Sequence, residues 1–385
     1  VLVEVGSGSA SLNGTFGVPQ PSEQQADFQA VMDTINKAGG IACHPVQGDY
    51  QTYNELDSSS ATSACLTFVQ NHDFAVLNGF LPQASDVCPL QNHLPVFEEI
   101  LIPGATVKQY YPDYFSIAGE LDVVMKNAAQ ALGHMGYFGS AKGFKKLGVF
   151  YRDCIAGEYQ TWIASVEAAG VPASAISGFD VGCPNGFAAP STDEQAVLQF
   201  QQAGVTTVSP INESTDLQEF TKAAQAQGFH PQYVLPDDGT VATSGSPTFE
   251  PDPTNFNGAI AITPDQYGAI GSNLPETAAT KTCDQIMTSH GLPTVYKSGD
   301  QYAGAVCNQL WAFQAAASHD PSLTQTGLAA GLDQAGSVAM SFPDGPNNFS
   351  APGTTTGGQY WRPVSFHSSC GCWMVNTATF QPSYS

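Results

Sequence analysis

Short apolar runs alternate along this chain with stretches whose apolar residues recur at helical spacing. That alternation restricts the fold more than any single motif. The spacing predicts strands over 1–5, 73–77, 94–97, 146–152, 175–179, 205–209, 232–235 and 259–263. Helices are predicted over 23–37, 61–70, 84–92, 120–137, 158–169, 193–203 and 215–227, then over 276–289, 299–318 and 322–334. In the first helix Phe28, Val31, Met32 and Ile35 share one face, and Gly39-Gly40 ends it. The tail changes character: 342–358 is rich in Pro, Gly, Asn and Thr, and two strands follow near 360–366 and 372–376. Strands joined by helices pair in parallel and are covered on both faces. The expected class is therefore α/β, with doubly wound sheets. Ligands of such sheets sit beyond the carboxyl ends of the strands. The informative loops are then 6–11, 78–83, 98–106, 153–157, 210–214 and 236–240.

With 385 residues the chain suits two compact lobes rather than one. Lys and Arg total 11 against 34 acids, a formal net charge of −23. Nucleic acids and anionic membrane surfaces need a basic face, so neither is an expected partner. The acidity suits the solubility of an exported protein. No apolar run is long enough to span a bilayer. No signal peptide precedes the first strand, so the chain reads as a mature or truncated form. Sequons at Asn13, Asn212 and Asn348 are triplets that often arise by chance.

The nine cysteines are spread along the chain with no C-x-x-C pair. Zinc ribbons and thioredoxin-like sites lack their basic unit, whereas disulfides of an oxidising compartment fit. The expected pairs are Cys65–Cys88, Cys154–Cys183 and Cys283–Cys307, each linking neighbouring elements. Cys43, Cys370 and Cys372 stay open. One of the nine must be unpaired within the chain, and a buried free thiol is the plain alternative for any of them.

Catalytic signatures are nearly absent. The sequence contains no G-x-S-x-G, no H-E-x-x-H and no Walker A loop, and its eight histidines are scattered singly. Gly6-Ser7-Gly8 hints at a dinucleotide loop, but Ser11 replaces the third glycine and the helix begins too late to meet a pyrophosphate. No cofactor and no metal are expected. Two carboxylate pairs, Glu98-Glu99 and Asp237-Asp238, fall in strand-end loops. They would serve as an acid/base pair, bind an ammonium or sugar hydroxyls, or be simple solvated charge. Phe80, Tyr110, Tyr111 and Tyr151 lie in or beside these loops and would wall a pocket. Trp162 and Trp311 sit in helical patterns and are expected in the core.

Several segments carry a resemblance. Residues 26–41 (ADFQAVMDTINKAGGI) resemble the opening helix of type I periplasmic binding proteins of the leucine/isoleucine/valine kind. Residues 64–79 (ACLTFVQNHDFAVLNG) are similar to that family's second helix and strand. Residues 145–157 (KKLGVFYRDCIAG) resemble the strand that opens its second lobe. Residues 216–239 (DLQEFTKAAQAQGFHPQYVLPDDG) resemble its helix, turn and following strand. Cys370-Gly371-Cys372-Trp373 looks like actinobacterial members. The resemblance implies two α/β lobes joined by three crossings, near 118–120, 263 and 342. Lobe one would be 1–118 plus 264–341, lobe two 119–263 plus 342–385, with a ligand cleft between them.

The family's ligand-holding hydroxyls are missing here. The loop after the second family strand reads Gly79-Phe80-Leu81-Pro82. Glu98-Glu99 stands where the family has a small hydroxyl motif, and Ala156 replaces a tyrosine. The acid that meets a ligand ammonium corresponds to Asp237, with Asp238 after it. Candidate ligand contacts are thus Ser9, Phe80, Glu98, Glu99, Tyr151, Asp153, Asn212, Asp237 and Asp238. Acidic loops repel a carboxylate, which favours an amide, amine, polyol or apolar molecule over a simple α-amino acid.

The resemblance implies a non-enzymatic solute-binding subunit of an ABC importer that works by hinge closure. Its partners would be a small molecule and a transporter permease. It would be extracellular or at the cell surface, with membrane contact only through a lipid anchor outside this chain. A sensory domain on the same fold is the alternative. A secreted enzyme using Glu98 or Asp237 as acid/base is a third reading.

Overall fold

The computed structural model describes residues 3–10, 19–54, 57–77, 83–152, 157–182, 188–211, 216–236, 241–242, 249–298, 300–320, 322–350 and 353–384. The chain divides into two units, Val1–Glu120 with Pro275–Gln359, and Leu121–Leu274 with Tyr360–Ser385. The first unit opens with β1 (Val3–Ala10), α1 (Pro21–Lys37), β2 (Val46–Tyr53), α2 (Ser58–Asn71), β3 (Ala75–Leu77), α3 (Gln83–Gln91) and β4 (Val96–Glu98). It continues through β5 (Leu101–Ile102), α4 (Gly104–Tyr110), β6 (Tyr114–Ser116) and β7 (Gly119–Glu120). The second unit holds α5 (Leu121–His134), β8 (Leu147–Tyr151), α6 (Glu158–Ala168), β9 (Ile176–Asp180), α7 (Pro190–Ala203), β10 (Thr207–Ile211), α8 (Leu217–Ala226), β11 (Gln232–Leu235) and β12 (Ile260–Thr263). The chain then returns to the first unit for α9 (Ala278–Ser289), α10 (Val295–Ser298), α11 (Gln301–His319) and α12 (Leu328–Ala335). It ends in the second with β13 (Tyr360–His367), β14 (Cys372–Val375) and β15 (Gln381–Pro382).

The crossings fall at Glu120–Leu121, Leu274–Pro275 and Gln359–Tyr360. The first lies beside the expected 118–120; the other two come later than 263 and 342. Hydrogen bonding explains the shift. Residues 264–274 bond within the second unit, where Arg362 Nη2 donates to Tyr267 O at 3.1 Å and Val375 N to Ser272 Oγ at 2.8 Å. Residues 342–358 bond into the first, where Phe342 N donates to Thr280 Oγ1 at 3.0 Å and Asn308 Nδ2 to Asp344 Oδ2 at 2.6 Å.

The sheet of the first unit is parallel, in the order β2-β1-β3-β4-β6. β1 runs through Gly6-Ser7-Gly8, which pair with Asp49, Tyr50 and Gln51. The glycine pair is therefore strand rather than a phosphate loop. Phe97 and Phe115 stack at 4.2 Å on neighbouring strands, and Phe313 of α11 meets Phe97 edge-on at 5.6 Å. α11 is buried along most of its length because it is apolar nearly all round.

In the second unit β8 to β12 are parallel, and β13 closes the sheet antiparallel to β12. Its core is an aromatic seam. Phe150 meets Phe220 at 4.7 Å, Tyr233 meets Phe256 at 5.0 Å, and Phe256 meets Trp373 at 5.9 Å. Trp162 is buried as expected, whereas Trp311 is half-buried.

Cys65–Cys88 and Cys283–Cys307 form as predicted. Cys370 pairs with Cys372, and Cys43 is a free, exposed thiol. The expected Cys154–Cys183 bridge lies outside the described residues. Among the described residues no helix is long and apolar enough to cross a membrane.

Candidate functional site

Parallel strands offer their carboxyl ends to ligands. In the first unit these ends are Ala10, Tyr53, Leu77, Glu98 and Ser116. Ser9 lies one residue inside that edge, within β1 and opposite Thr52, so it belongs to strand rather than loop. Phe80 lies outside the described residues.

Glu98 closes β4 with its side chain only 1% exposed. Its register partner is Ser116, two residues from Tyr114 on the same pleated face. That spacing brings Tyr114 Oη to Glu98 Oε2 at 2.8 Å, and Ile117 N donates to the Glu98 carbonyl at 2.8 Å. Glu99 turns elsewhere. Asn308 Nδ2, from the middle of α11, donates to Glu99 Oε1 at 3.1 Å, to Ser341 O at 3.0 Å and to Asp344 Oδ2 at 2.6 Å. Ser341 N returns a bond to Asn308 Oδ1 at 2.6 Å. The two adjacent acids are thus engaged by different internal partners. Glu98 is a buried acceptor locked to a phenol, and Glu99 shares one amide with Asp344.

A second acidic group lies at the same edge, where α1 leaves β1 and α11 begins. Asp27 is 4% exposed on α1. Burial, then the neighbouring Asp300 and Glu23, push its carboxyl up to about 8. Asp300, which caps α11 by accepting from Ala303 N at 3.1 Å, is also raised, mainly by burial. Tyr302 donates to Gln24 Oε1 at 3.2 Å, and burial followed by the Asp27 charge holds its phenol well above the usual range. At neutral pH Asp27 therefore keeps its proton and offers a donor as well as an acceptor.

In the second unit the strand ends are Tyr151, Asp180, Ile211, Leu235 and Thr263. Tyr151 stacks on Tyr159 of α6 with centroids 4.1 Å apart. Next to it, Arg152 Nη2 meets Asp216 Oδ2 at 2.5 Å, and Ala188 N donates to Asp216 Oδ1 at 2.8 Å. This partly buried pair ties the end of β8 to the start of α8. Asp153, Asn212, Asp237 and Asp238 lie outside the described residues.

The sequence also pointed to Tyr110 and Tyr111 as pocket walls. α4 runs back along the sheet, so its last residue, Tyr110, stands beside the start of β6 at the amino-terminal edge, 6.5 Å from the Tyr114 ring. Tyr111 is 45% exposed there. A pocket of about 510 Å³ also opens at the amino-terminal edge, lined in part by His72, Asp73, Asn92, Leu94, Thr324 and Gln325. It stands at the wrong end of the strands for the ligand site of a doubly wound sheet.

The segments flanking two crossings are bonded to each other within the first unit. Ser116 N donates to Thr355 O at 3.1 Å, and Gly357 N to Ser116 O at 2.8 Å. Ser116 Oγ donates to Ile100 O at 2.6 Å and accepts from Gly119 N at 2.9 Å. Gly119 has φ +118°, and a Cβ there would come within 2.9 Å of Gly357 O. Only glycine permits both that backbone and that approach.

The residues missed from sequence are Asp27, Asn308, Asp344 and Tyr302. One signal was available for Asn308: an amide in a largely apolar helix, when buried, most often has internal hydrogen-bond partners. Among the described residues no three His, Cys, Asp or Glu side chains gather to hold a metal ion.

No protein-family model matches the sequence, and no curated protein matches it either. Solved structures do match in fold. A solute-binding protein of an ABC transporter from R. palustris, in complex with 4-hydroxybenzoate, is 11% identical with a TM-score of 0.72, over 100% of this chain and 98% of that one. A leucine binding protein from Thermotoga maritima is 12% identical with a TM-score of 0.70, over 97% of this chain and 98% of that one. An ABC transporter substrate-binding protein from Desulfitobacterium hafniense, in complex with Leu, is 14% identical with a TM-score of 0.67, over 97% of this chain and 100% of that one. The fold is that of the type 1 periplasmic binding proteins.

Proposed function

We propose that the chain is an exported solute-binding protein, not an enzyme, that captures a small organic molecule and delivers it to the permease of an ABC importer. The observation that carries this reading is the end-to-end likeness to substrate-binding proteins, over at least 97% of this chain and 98% of each of the three relatives. The strand-end positions of the two units, Ser9 and Phe80 in one and Tyr151, Asp153, Asn212, Asp237 and Asp238 in the other, supply the ligand contacts, whereas Glu98 and Glu99 stay with their internal partners Tyr114 and Asn308. The ligand stabilises a closed arrangement by touching both sets, and hinge closure follows from that difference in affinity.

The chemistry favours a neutral or cationic ligand. A ligand carboxylate is held by a cation or by hydroxyl and backbone N–H donors, and Arg152, a cation at the strand ends, is already paired with Asp216. Glu98, buried against Tyr114, is poorly placed as the base of a secreted enzyme, which supports binding over turnover.

A thermal-shift screen over amino acids, amides, polyamines, sugars, aromatic acids and apolar molecules tests the proposal. A ligand of the folded state at 100 times its Kd adds about 2.7 kcal/mol and raises the melting temperature by several degrees. An amide, amine, polyol or apolar hit recovered unchanged is the expected result. A hit that is chemically consumed overturns the binding reading, and a panel of hits confined to carboxylates overturns the ligand class.

A further inference from the structure

The disulfides of the described residues divide into two kinds. Cys65–Cys88 and Cys283–Cys307 close loops of 23 and 24 residues, and Cys65, Cys283 and Cys307 are buried. Such bridges restrict the unfolded chain strongly. Cys370–Cys372 spans a separation of 2, so it restricts almost nothing that the local backbone does not already fix. It stands at the turn of the β13–β14 hairpin, where Cys372 pairs with His367 and Gly371 takes φ +59°.

The hairpin is secured without it. Val364 to Phe366 pair with Val375 to Trp373. Trp373 packs on Phe366 at 5.7 Å in the aromatic seam, Val375 N donates to Ser272 Oγ at 2.8 Å, and Ser368 N to Asn257 Oδ1 at 3.0 Å. Opening the bridge therefore leaves the turn in place.

We propose that Cys370–Cys372 is a surface site for thiol–disulfide exchange with a dithiol. Cys370 is exposed, whereas Cys372 is half-buried with its Sγ against Gly271, where a Cβ would come within 3.0 Å. The attacked sulfur is thus Cys370 Sγ. A thiolate of the dithiol forms a bond to it, the S–S bond breaks, and the electron pair leaves on Cys372 Sγ, which takes up a proton. The second thiol of the reductant, as thiolate, then attacks the mixed disulfide at the reductant's own sulfur and releases Cys370 as thiolate. The protein disulfide gains two electrons and the dithiol becomes a disulfide. A net charge of −23, with Glu250 beside Gly371, repels every attacking thiolate at low ionic strength, and repels a monothiol that carries further negative charge more than a dithiol that carries none.

The test uses folded protein with Cys43 blocked by maleimide. Graded dithiothreitol is applied, and newly formed thiols are trapped with an isotopically heavy maleimide and mapped by peptide mass. Cys370 and Cys372 are expected to label roughly ten-fold or more faster than Cys65, Cys88, Cys283 and Cys307, with the melting temperature unchanged. Glutathione at equal thiol concentration is expected to be slower, and added salt to narrow the gap. Labelling at the rate of the buried bridges, or only together with loss of the melting transition, overturns the proposal. In the C370S/C372S double variant the fast phase must vanish while the far-ultraviolet spectrum stays; a fast phase that persists refutes the site. A monothiol adduct trapped on Cys372 rather than Cys370 refutes the assigned point of attack.

Discussion

Replacing Asp27 by Asn should make the protein more stable, and only above a certain pH. The carboxyl is 4% exposed and raised from 3.8 to about 8 by burial, Asp300 and Glu23. In the unfolded chain it titrates near its ordinary value. Below about pH 4 both states hold the proton, and Asp27 contributes no pH dependence. Between about pH 4 and pH 8 the folded state keeps its proton while the unfolded state loses it. Stability then falls by about 1.4 kcal/mol per pH unit. Above about pH 8 both states are ionised and the loss is complete. At pH 7 the ceiling is about 3 units, or about 4 kcal/mol. Asp300 shares the same surroundings and relaxes when Asp27 changes, so about 2 kcal/mol is a fair expectation for one substitution. Asn keeps the shape and removes the ionisation. Thermal melts of D27N and the parent should coincide near pH 4 and separate progressively towards pH 8, with D27N the higher. An offset equal at every pH, or D27N melting lower at pH 8, would refute the reasoning.

Four further substitutions follow, three at buried groups and one at an exposed ion pair as the control. Asn308→Leu strips one amide from Glu99, Asp344 and Ser341, and should cost about 2–4 kcal/mol in urea unfolding; a cost under a few tenths would show that these groups find water instead. Arg152→Met leaves Asp216 buried without its guanidinium and should cost about 3–5 kcal/mol. Lys222→Ala breaks only the exposed pair with Glu219 and should change stability by less than about 0.5 kcal/mol, so equal effects of the two would contradict the burial argument. Cys283→Ser opens a loop of 24 residues and should lower stability by about 3 kcal/mol, read as a drop in melting temperature.

The alternation of strands and helices was legible because a parallel sheet buries both faces and writes apolar runs into the sequence. Leu147–Tyr151 and Ile260–Thr263 show this. β2 was not legible: Val46–Tyr53 is an edge strand whose middle residues are only half-buried, so VQGDYQTY lacks an apolar run. β6 is three residues long and reads YFS, with hydroxyls at both ends, so no apolar run marks it. The first strand was read as ending at Val5 because Gly and Ser look like loop, yet pairing with β2 carries it to Ala10. At the candidate site Glu98, read as the first residue of a loop, is instead the last residue of β4. Its burial against Tyr114 depends on strand register, which local sequence does not encode. Asp27 escaped notice because its environment is set by burial and then by Asp300, which α11 brings back from far along the chain.

The antiparallel closure of the second sheet has a bearing on the order of synthesis. β8 to β12 leave the ribosome as a contiguous block, with the outer side of β12 still unpaired. Thr263 must wait for Arg362, roughly a hundred residues later, while the whole α9–α12 segment of the other unit emerges. For that interval a nascent chain presents an open strand edge, the kind that recruits stray strands from its neighbours. The last strands are therefore a cap that arrives late, and a chain that stalls before Tyr360 is the form most exposed to misassembly.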